Sequence, residues 1–235
     1  MKKISIAIPT WECNGRGAEF LDDLLRTIQI QHFKDFEVII SDHSENEDLI
    51  GVIKDFDSEF EIKYFKNKNN RGNSPANLNN AISNCSGEII KIMFQDDFFY
   101  DDEALEKIYY ALSDSDRMWL LNGTNHTKDH GNSFFWEMFP RFNDDLLRGV
   151  NTISSPSVVS FKSDARMEFD ENLVYLMDLE YYHGMRLKFG EPFYYDDIIV
   201  SNRIHDDSIS SSILNKNELI AKESEYCFNK YGVVQ

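Results

Sequence analysis

Apolar and polar positions follow several distinct rhythms along this chain. Residues 4–8 (ISIAI) form a short, β-branched apolar run that stops at Pro9, which predicts a buried strand. A polar, glycine-containing loop covers residues 10–17. Phe20, Leu21, Leu24, Leu25 and Ile28 then recur at helical spacing. Residues 36–40 predict a second strand ending at Ser41-Asp42. A helix is expected near residues 48–57, and a short third strand at residues 62–65. Residues 67–80 are polar and Asn-rich, with Gly72 and Pro75, and read as a loop leading into a short helix that reaches Ile82. Ser86-Gly87 turns the chain into residues 89–94 (IIKIMF), a nearly continuous apolar run of the kind buried on both faces of a parallel sheet.

The order β-α-β-α-β-loop/α-β implies parallel strands joined by right-handed crossovers. Strand tips at Pro9, Asp42 and Asp96 can then face one crevice, where open α/β sheets bind ligands. Residues 89–97 organise this half, because the apolar run ends on two adjacent acids, Asp96 and Asp97. A carboxylate pair at a strand tip suits a divalent cation, although acids are also common in turns and at helix starts.

Beyond Asp97 a helix is expected over residues 103–112 and a strand over residues 118–121. Residues 122–151 carry Phe134, Phe135, Trp136, Phe139 and Phe142 without clear periodicity. They read as a long irregular segment that either forms a binding loop or completes a core. Strands are expected at residues 157–161, 193–195 and 198–201, a helix from Met177 to Leu187, and a terminal helix over residues 216–231. The organisation implied is an α/β body with a mostly parallel central sheet flanked by helices. Residues 1–100 and 101–214 form its two halves, the second with a smaller mixed region, and residues 215–235 a C-terminal helix. There is no internal repeat.

Composition narrows the function. A chain of 235 residues with 42% hydrophobic and 14% aromatic content is globular. A formal net charge of −17 excludes a general nucleic-acid binder, which needs a basic face. An anionic ligand would need a cation or local basic groups as intermediary. Three widely spaced cysteines, Cys13, Cys85 and Cys227, give neither a disulfide framework nor a zinc site, and fit a reduced, cytoplasmic compartment. No signal-peptide pattern, membrane-length apolar run or polybasic patch is evident. The sequons at Asn122 and Asn125 read as chance matches. A nucleotide-cofactor oxidoreductase is disfavoured, since the first strand leads into Pro-Thr-Trp and not GxGxxG.

Six segments, in order, resemble the family 2 inverting glycosyltransferases with the GT-A fold. They are ISIAIPTW (residues 4–11), the strand ending in Asp42, Asn70-Arg71-Gly72-Asn73-Ser74 with Asn77, Ser86-Gly87 leading to Gln95-Asp96-Asp97, Met177-Asp178-Leu179-Glu180, and Arg203-Ile204-His205 with Ser208 and Ser210. The resemblance implies a nucleotide-sugar donor held by Pro9, Thr10, Trp11, Asp42, Asn77 and Asp96. Asp42 would accept a bond from a nucleobase ring N–H, which favours uracil or thymine. It also implies Mn²⁺ or Mg²⁺ on Asp97, Asp96 and His205, with Asp178 as general base and Trp136 and Glu180 toward the acceptor.

The implied partner is a glycan or lipid-linked glycan acceptor in surface polysaccharide synthesis. The implied place is the cytoplasm, in peripheral contact with the inner face of the membrane. The sequence departs from the family pattern at three positions. Phe94 stands at the first acidic place of the metal motif, Met177 at the acid before the base, and Ala76 where an Arg often precedes the Asn. Phe94 and Met177 motivate the alternative, a catalytically silent nucleotide-sugar-binding or scaffold protein of the same fold. Asp97 and Asp178 argue against it.

Overall fold

A computed structural model of the chain describes residues 2–206, 208 and 214–232. The first half alternates strand and helix: β1 (Ile4–Thr10), α1 (Gly17–Gln29), β2 (Phe36–Asp42), α2 (Asp48–Phe56), β3 (Ile62–Lys66), α3 (Ser74–Ser83) and β4 (Ile89–Ile92). The second half adds β5 (Phe98–Phe99), α4 (Ala104–Ser113), β6 (Trp119–Thr127), β7 (Phe135–Met138), β8 (Val159–Lys162), α5 (Met177–Phe189), β9 (Phe193–Arg203) and α6 (Lys216–Tyr231). Strands line up as β3-β2-β1-β4-β8-β6-β9-β5, with β7 paired to β6.

The β3 to β4 half is parallel, as expected. At β8 the pairing turns antiparallel, and the second half is mixed. Because β1 is followed in space by β2 on one side and β4 on the other, the topological switch point lies between β1 and β4. That is where doubly wound sheets open a crevice at their carboxyl ends.

The two faces of the sheet bury different residues of the same strands. Ile4, Ile6 and Ile8 of β1 pack with Leu21, Leu24 and Leu25 of α1 and with α2 and α4. Ala7 of β1 and Ile90 and Ile92 of β4 pack on the opposite side with α3, α5 and α6. A period of two splits one apolar run between two cores, so the strand needs no polar face.

Several boundaries differ from the sequence reading. Strand β1 runs through Pro9, which pairs with Ser41. The β1–β4 pairing ends at Ala7 and Ile92, so Pro9 has lost one neighbour and its missing N–H interrupts no ladder there. The expected irregular stretch at residues 122–151 also gives way in part. Strand β6 continues to Thr127, and residues 135–138 form β7. The run Asn122–Thr127 looks like a loop because it is polar, yet every residue in it is buried. Side chains compensate: Thr124 Oγ1 donates to Asn202 Oδ1 at 2.7 Å, and Ser201 Oγ to Asn125 Oδ1 at 2.6 Å. The two expected strands at residues 193–195 and 198–201 are one strand, β9, joined through register shifts against β6.

Two glycines let backbone meet backbone. A Cβ at Gly87 would fall 2.6 Å from the Ser5 nitrogen, and one at Gly17 would fall 2.2 Å from the Trp11 carbonyl oxygen. Gly17 therefore lets α1 begin directly against the loop that follows β1.

Candidate active site

A cavity of about 1010 Å³ opens at the carboxyl ends of β1 and β4. Of the residues singled out from sequence, Pro9, Thr10, Trp11, Asn77, Asp96, Asp97, Trp136, Asp178 and His205 line it. Asp42 and Glu180 do not.

The β1 and β4 tips are stitched together by Gln95, whose Oε1 accepts from Trp11 N at 2.7 Å while its Nε2 donates to Trp11 O at 2.9 Å. Asn77 performs a similar service underneath. Its Nδ2 donates to Thr10 O at 2.9 Å and its Oδ1 accepts from Ser41 Oγ at 2.7 Å. Both its polar atoms are engaged, so Asn77 shapes the donor side while bordering the cavity.

Asp97 is buried, and its carboxylate is ringed by donors. Asn202 Nδ2 reaches Oδ2 at 2.8 Å, Ser155 Oγ the same oxygen at 3.1 Å, and the Arg203 backbone N reaches Oδ1 at 3.2 Å. Burial, with the charge of Asp96 added, pushes the Asp97 pKa up to about 7 despite these bonds. Asp96 is more open, and its Oδ2 lies 2.9 Å from His205 Nε2. Arg203 braces the pair from outside. Its Nε donates to the Asp96 carbonyl at 3.1 Å, and its guanidinium lies over the Phe20 ring and ion-pairs with Asp23 at 2.7 Å. Glu19, Asp23 and His130 make a further acidic group, already supplied with positive charge by Arg203. Ser210 lies outside the described residues.

Beneath the pair, Lys91 of β4 is fully buried. Its Nζ donates to Asn122 Oδ1 at 3.0 Å and to the Ser157 carbonyl, and burial pushes its pKa down to about 7. A single lysine inside an otherwise apolar strand was the sequence signal for this residue. Ser155 and Asn202 carried no comparable signal, and Arg203 stood in the Arg203-Ile204-His205 segment without a sign that its backbone would reach Asp97, because these roles depend on turns that meet Asp97 only in the fold.

Asp178 faces the same cavity from the first turn of α5. It is half-buried, with Leu179 N donating to Oδ1 at 2.8 Å and Asn151 Nδ2 reaching Oδ2 at 3.3 Å. Burial pushes its pKa up to about 7. The turn into α5 is clasped from α6: both oxygens of buried Glu223 accept backbone N–H groups, from Val174 at 2.8 Å, Tyr175 at 3.0 Å and Leu176 at 2.7 Å. Glu223→Ala would leave three donors without an acceptor. It should cost about 2–4 kcal/mol, read as a lower urea midpoint at unchanged slope.

Two of the expected site residues lie away from the cavity lining. Glu180 follows Asp178 by two positions, which on a helix turns it to another side. It is buried against α6, where Tyr231 donates to it and Lys230 ion-pairs with it at 2.7 Å. It therefore braces α5 against α6. Asp42 is also fully buried, below the cavity wall. Ser44 N reaches its Oδ1 at 2.7 Å, while Tyr64 and Lys66 of β3 claim Oδ2 at 2.7 and 2.9 Å. Burial would raise its pKa, but Ser44, Tyr64 and Lys66 outweigh it and hold the carboxyl below its usual range. Its bonds fix the turn after β2, and His43 and Arg71 border the cavity in its place.

The family model for glycosyl transferase family 2 matches residues 5–163. A GalNAc(5)-diNAcBac-PP-undecaprenol beta-1,3-glucosyltransferase of Campylobacter jejuni is 33% identical over 98 residues, 41% of this chain and 30% of that protein. A protein of Rickettsia conorii, described as an uncharacterized glycosyltransferase, is 30% identical over 101 residues, 43% of this chain and 16% of its own length. The matches thus span less than a third of these relatives.

Among solved structures, residues 1–349 of S. aureus TarS in complex with UDP-GlcNAc superpose with a TM-score of 0.73 at 17% identity, over 94% of this chain and 66% of that one. Mannosyltransferase PcManGT from Pyrobaculum calidifontis, in complex with GDP-Man and Mn²⁺, gives a TM-score of 0.63 at 12% identity, over 100% and 76% of the two chains. At such identities the likeness is one of fold.

Proposed function

The chain belongs to glycosyl transferase family 2, and on that premise we propose that it moves a sugar from a nucleotide-sugar to a hydroxyl of a glycan acceptor, inverting the anomeric carbon. The observation that carries this reading is the convergence on one switch-point cavity of an acid pair with His205 and, from a separate helix, of Asp178 with a raised pKa. Acid–base chemistry near neutral pH needs such a carboxylate. The GT-A architecture, shared with structures that hold nucleotide-sugars, supports the same reading.

Two carboxylates and an imidazole bordering one cavity are donor types that a divalent cation takes. Asp96, Asp97 and His205 would hold Mn²⁺ or Mg²⁺, and a bound cation would favour the ionised form of Asp97, which burial and the charge of Asp96 oppose. The metal, when bound, would stabilise the negative charge growing on the leaving nucleoside diphosphate. Asn202, Ser155 and the Arg203 N–H keep the Asp97 carboxylate fixed, and His205 orients Asp96. Asp178 accepts the proton of the attacking hydroxyl, held in place by Asn151 and by its helix start. One displacement inverts the anomeric centre, so a single carboxylate suffices.

A pyrimidine diphosphate sugar, uridine or thymidine, is the donor we favour, in keeping with the UDP-GlcNAc held by TarS residues 1–349 on the same fold. The acceptor we favour is a glycan on a lipid carrier, reached at the inner membrane face. The membrane contact we favour is peripheral; among the described residues no helix is long and apolar enough to cross a membrane. A thermal-shift panel of UDP, dTDP, GDP and CDP, each with Mn²⁺ or with chelator, tests the donor site. At a hundredfold excess over Kd, a pyrimidine diphosphate with metal should raise Tm by about 5–10 °C. A shift with GDP alone would overturn the nucleotide choice, and no shift with any nucleotide would overturn the reading.

A further inference from the structure

We infer that the β6–β7 hairpin is an acceptor subsite for a hexopyranose ring, with the Trp136 indole as stacking platform and His126 Nε2 as the acceptor for one of its hydroxyls. This rests on the transferase reading and adds the ligand class and a residue to it.

Trp136 lies on the wall of the cavity and is nevertheless 70% exposed, the most open of the aromatic side chains. Its backbone φ is +48°, in the left-handed region that a residue with a Cβ seldom adopts. The cause is a bulge. Thr124 pairs with Met138 and His126 with Phe135, so two steps along β6 answer three along β7. Such bulges re-aim a side chain, and glycine is the usual occupant of their left-handed position. Here a tryptophan bears that backbone cost while leaving most of its apolar surface in water. Strain combined with exposure at a cavity mouth points to a ligand and not to packing.

The ring is held ready. The His126 imidazole stacks under it, with centroids 5.2 Å apart and planes at 27°, and His126 Nδ1 lies 2.8 Å from the Trp136 carbonyl oxygen. A carbonyl only accepts, so Nδ1 carries the hydrogen. In the neutral ring Nε2 is then an acceptor, and it has no protein partner among the described residues. His126 itself borders the cavity. A flat apolar face beside one fixed acceptor matches a pyranose, whose axial C–H groups form an apolar patch and whose rim is hydroxyl donors. A lipid surface fits less well. The indole faces the cavity that also holds Asp178.

The test is saturation-transfer NMR of the full chain with methyl glycosides of glucose, N-acetylglucosamine and N-acetylgalactosamine. It is paired with UDP–Mn²⁺ thermal shifts and with indole emission in phosphatidylglycerol vesicles. The expected result is saturation of ring C–H protons by the native chain, at least a fivefold loss in Trp136→Ala, recovery in Trp136→Phe, and partial loss in His126→Phe. The UDP–Mn²⁺ shift should be the same in all. Equal saturation in Trp136→Ala, or no saturation in the native chain while UDP–Mn²⁺ still binds, overturns the platform alone. A blue-shifted emission with vesicles and no sugar signal makes the indole a membrane contact and overturns it too. Loss of UDP–Mn²⁺ binding by the native chain overturns the transferase reading with it.

Discussion

Asp178→Asn should lower kcat by roughly 10²–10⁴-fold, the usual worth of a positioned general base, and leave the UDP–Mn²⁺ thermal shift intact. The substitution is nearly isosteric, and the Asn oxygen can still accept from Leu179 N, so α5 keeps its start. What is lost is the proton acceptor, which acts only in the chemical step. The native pH profile carries the same assignment. A base works deprotonated, so transfer should be slow in acid and rise to a plateau as pH passes about 7, where burial has placed the Asp178 pKa. The effect on stability has the opposite sign. The folded state holds this proton more tightly than the unfolded chain, whose Asp titrates near about 4. Asp178 therefore withdraws stability as pH rises from about 4 to about 7, and the Asn variant should be the more stable protein at pH 8. Native-like turnover in the variant would reject the base assignment.

Asp97→Ala should abolish the metal-dependent part of nucleotide binding, reducing a shift of about 5–10 °C to that seen with chelator. Asp97 is the buried member of the pair, and three donor groups lose their acceptor with it, those of Ser155, Asn202 and the Arg203 backbone. The variant should therefore also melt earlier, and binding must be read well below its own Tm. Asp96→Asn separates the two effects. It removes one carboxylate charge at the more open position and leaves the ring of donors around Asp97 in place. It too should weaken metal-dependent binding, with a smaller loss of stability. An unchanged metal requirement in both variants would remove the metal from this site.

The fold was legible in the parallel half because each buried strand there announces itself by an apolar run, and each helix by its spacing. It was not legible at residues 122–127, a strand written almost wholly in Asn, Gly, Thr and His. Hydrophobic periodicity cannot reveal a strand whose burial is compensated by side-chain hydrogen bonds. The same limit explains the site. Asp96, Asp97, Asp178 and His205 could be named because their types carry chemistry, and all four meet at one cavity. Asp42 and Glu180 carry the same chemistry, but Tyr64 and Lys66 occupy one and Tyr231 and Lys230 the other. Those partners come from other elements, and local sequence does not show which carboxylate they will reach.

The Asn202 and Arg203 bonds to Asp97 also bear on how the protein comes to exist. They join positions 105 and 106 residues apart, and Gln95 reaches Trp11 across 84. Contacts that distant in sequence close late, because chain entropy must be lost before they form. A ribosome needs roughly 5–20 s to add the intervening hundred residues. Through that interval the nascent chain carries its acid pair without the strand that completes it. Nucleotide and metal can therefore steady only the finished molecule. Folding up to β9 must proceed on the chain's own apolar burial and strand pairing.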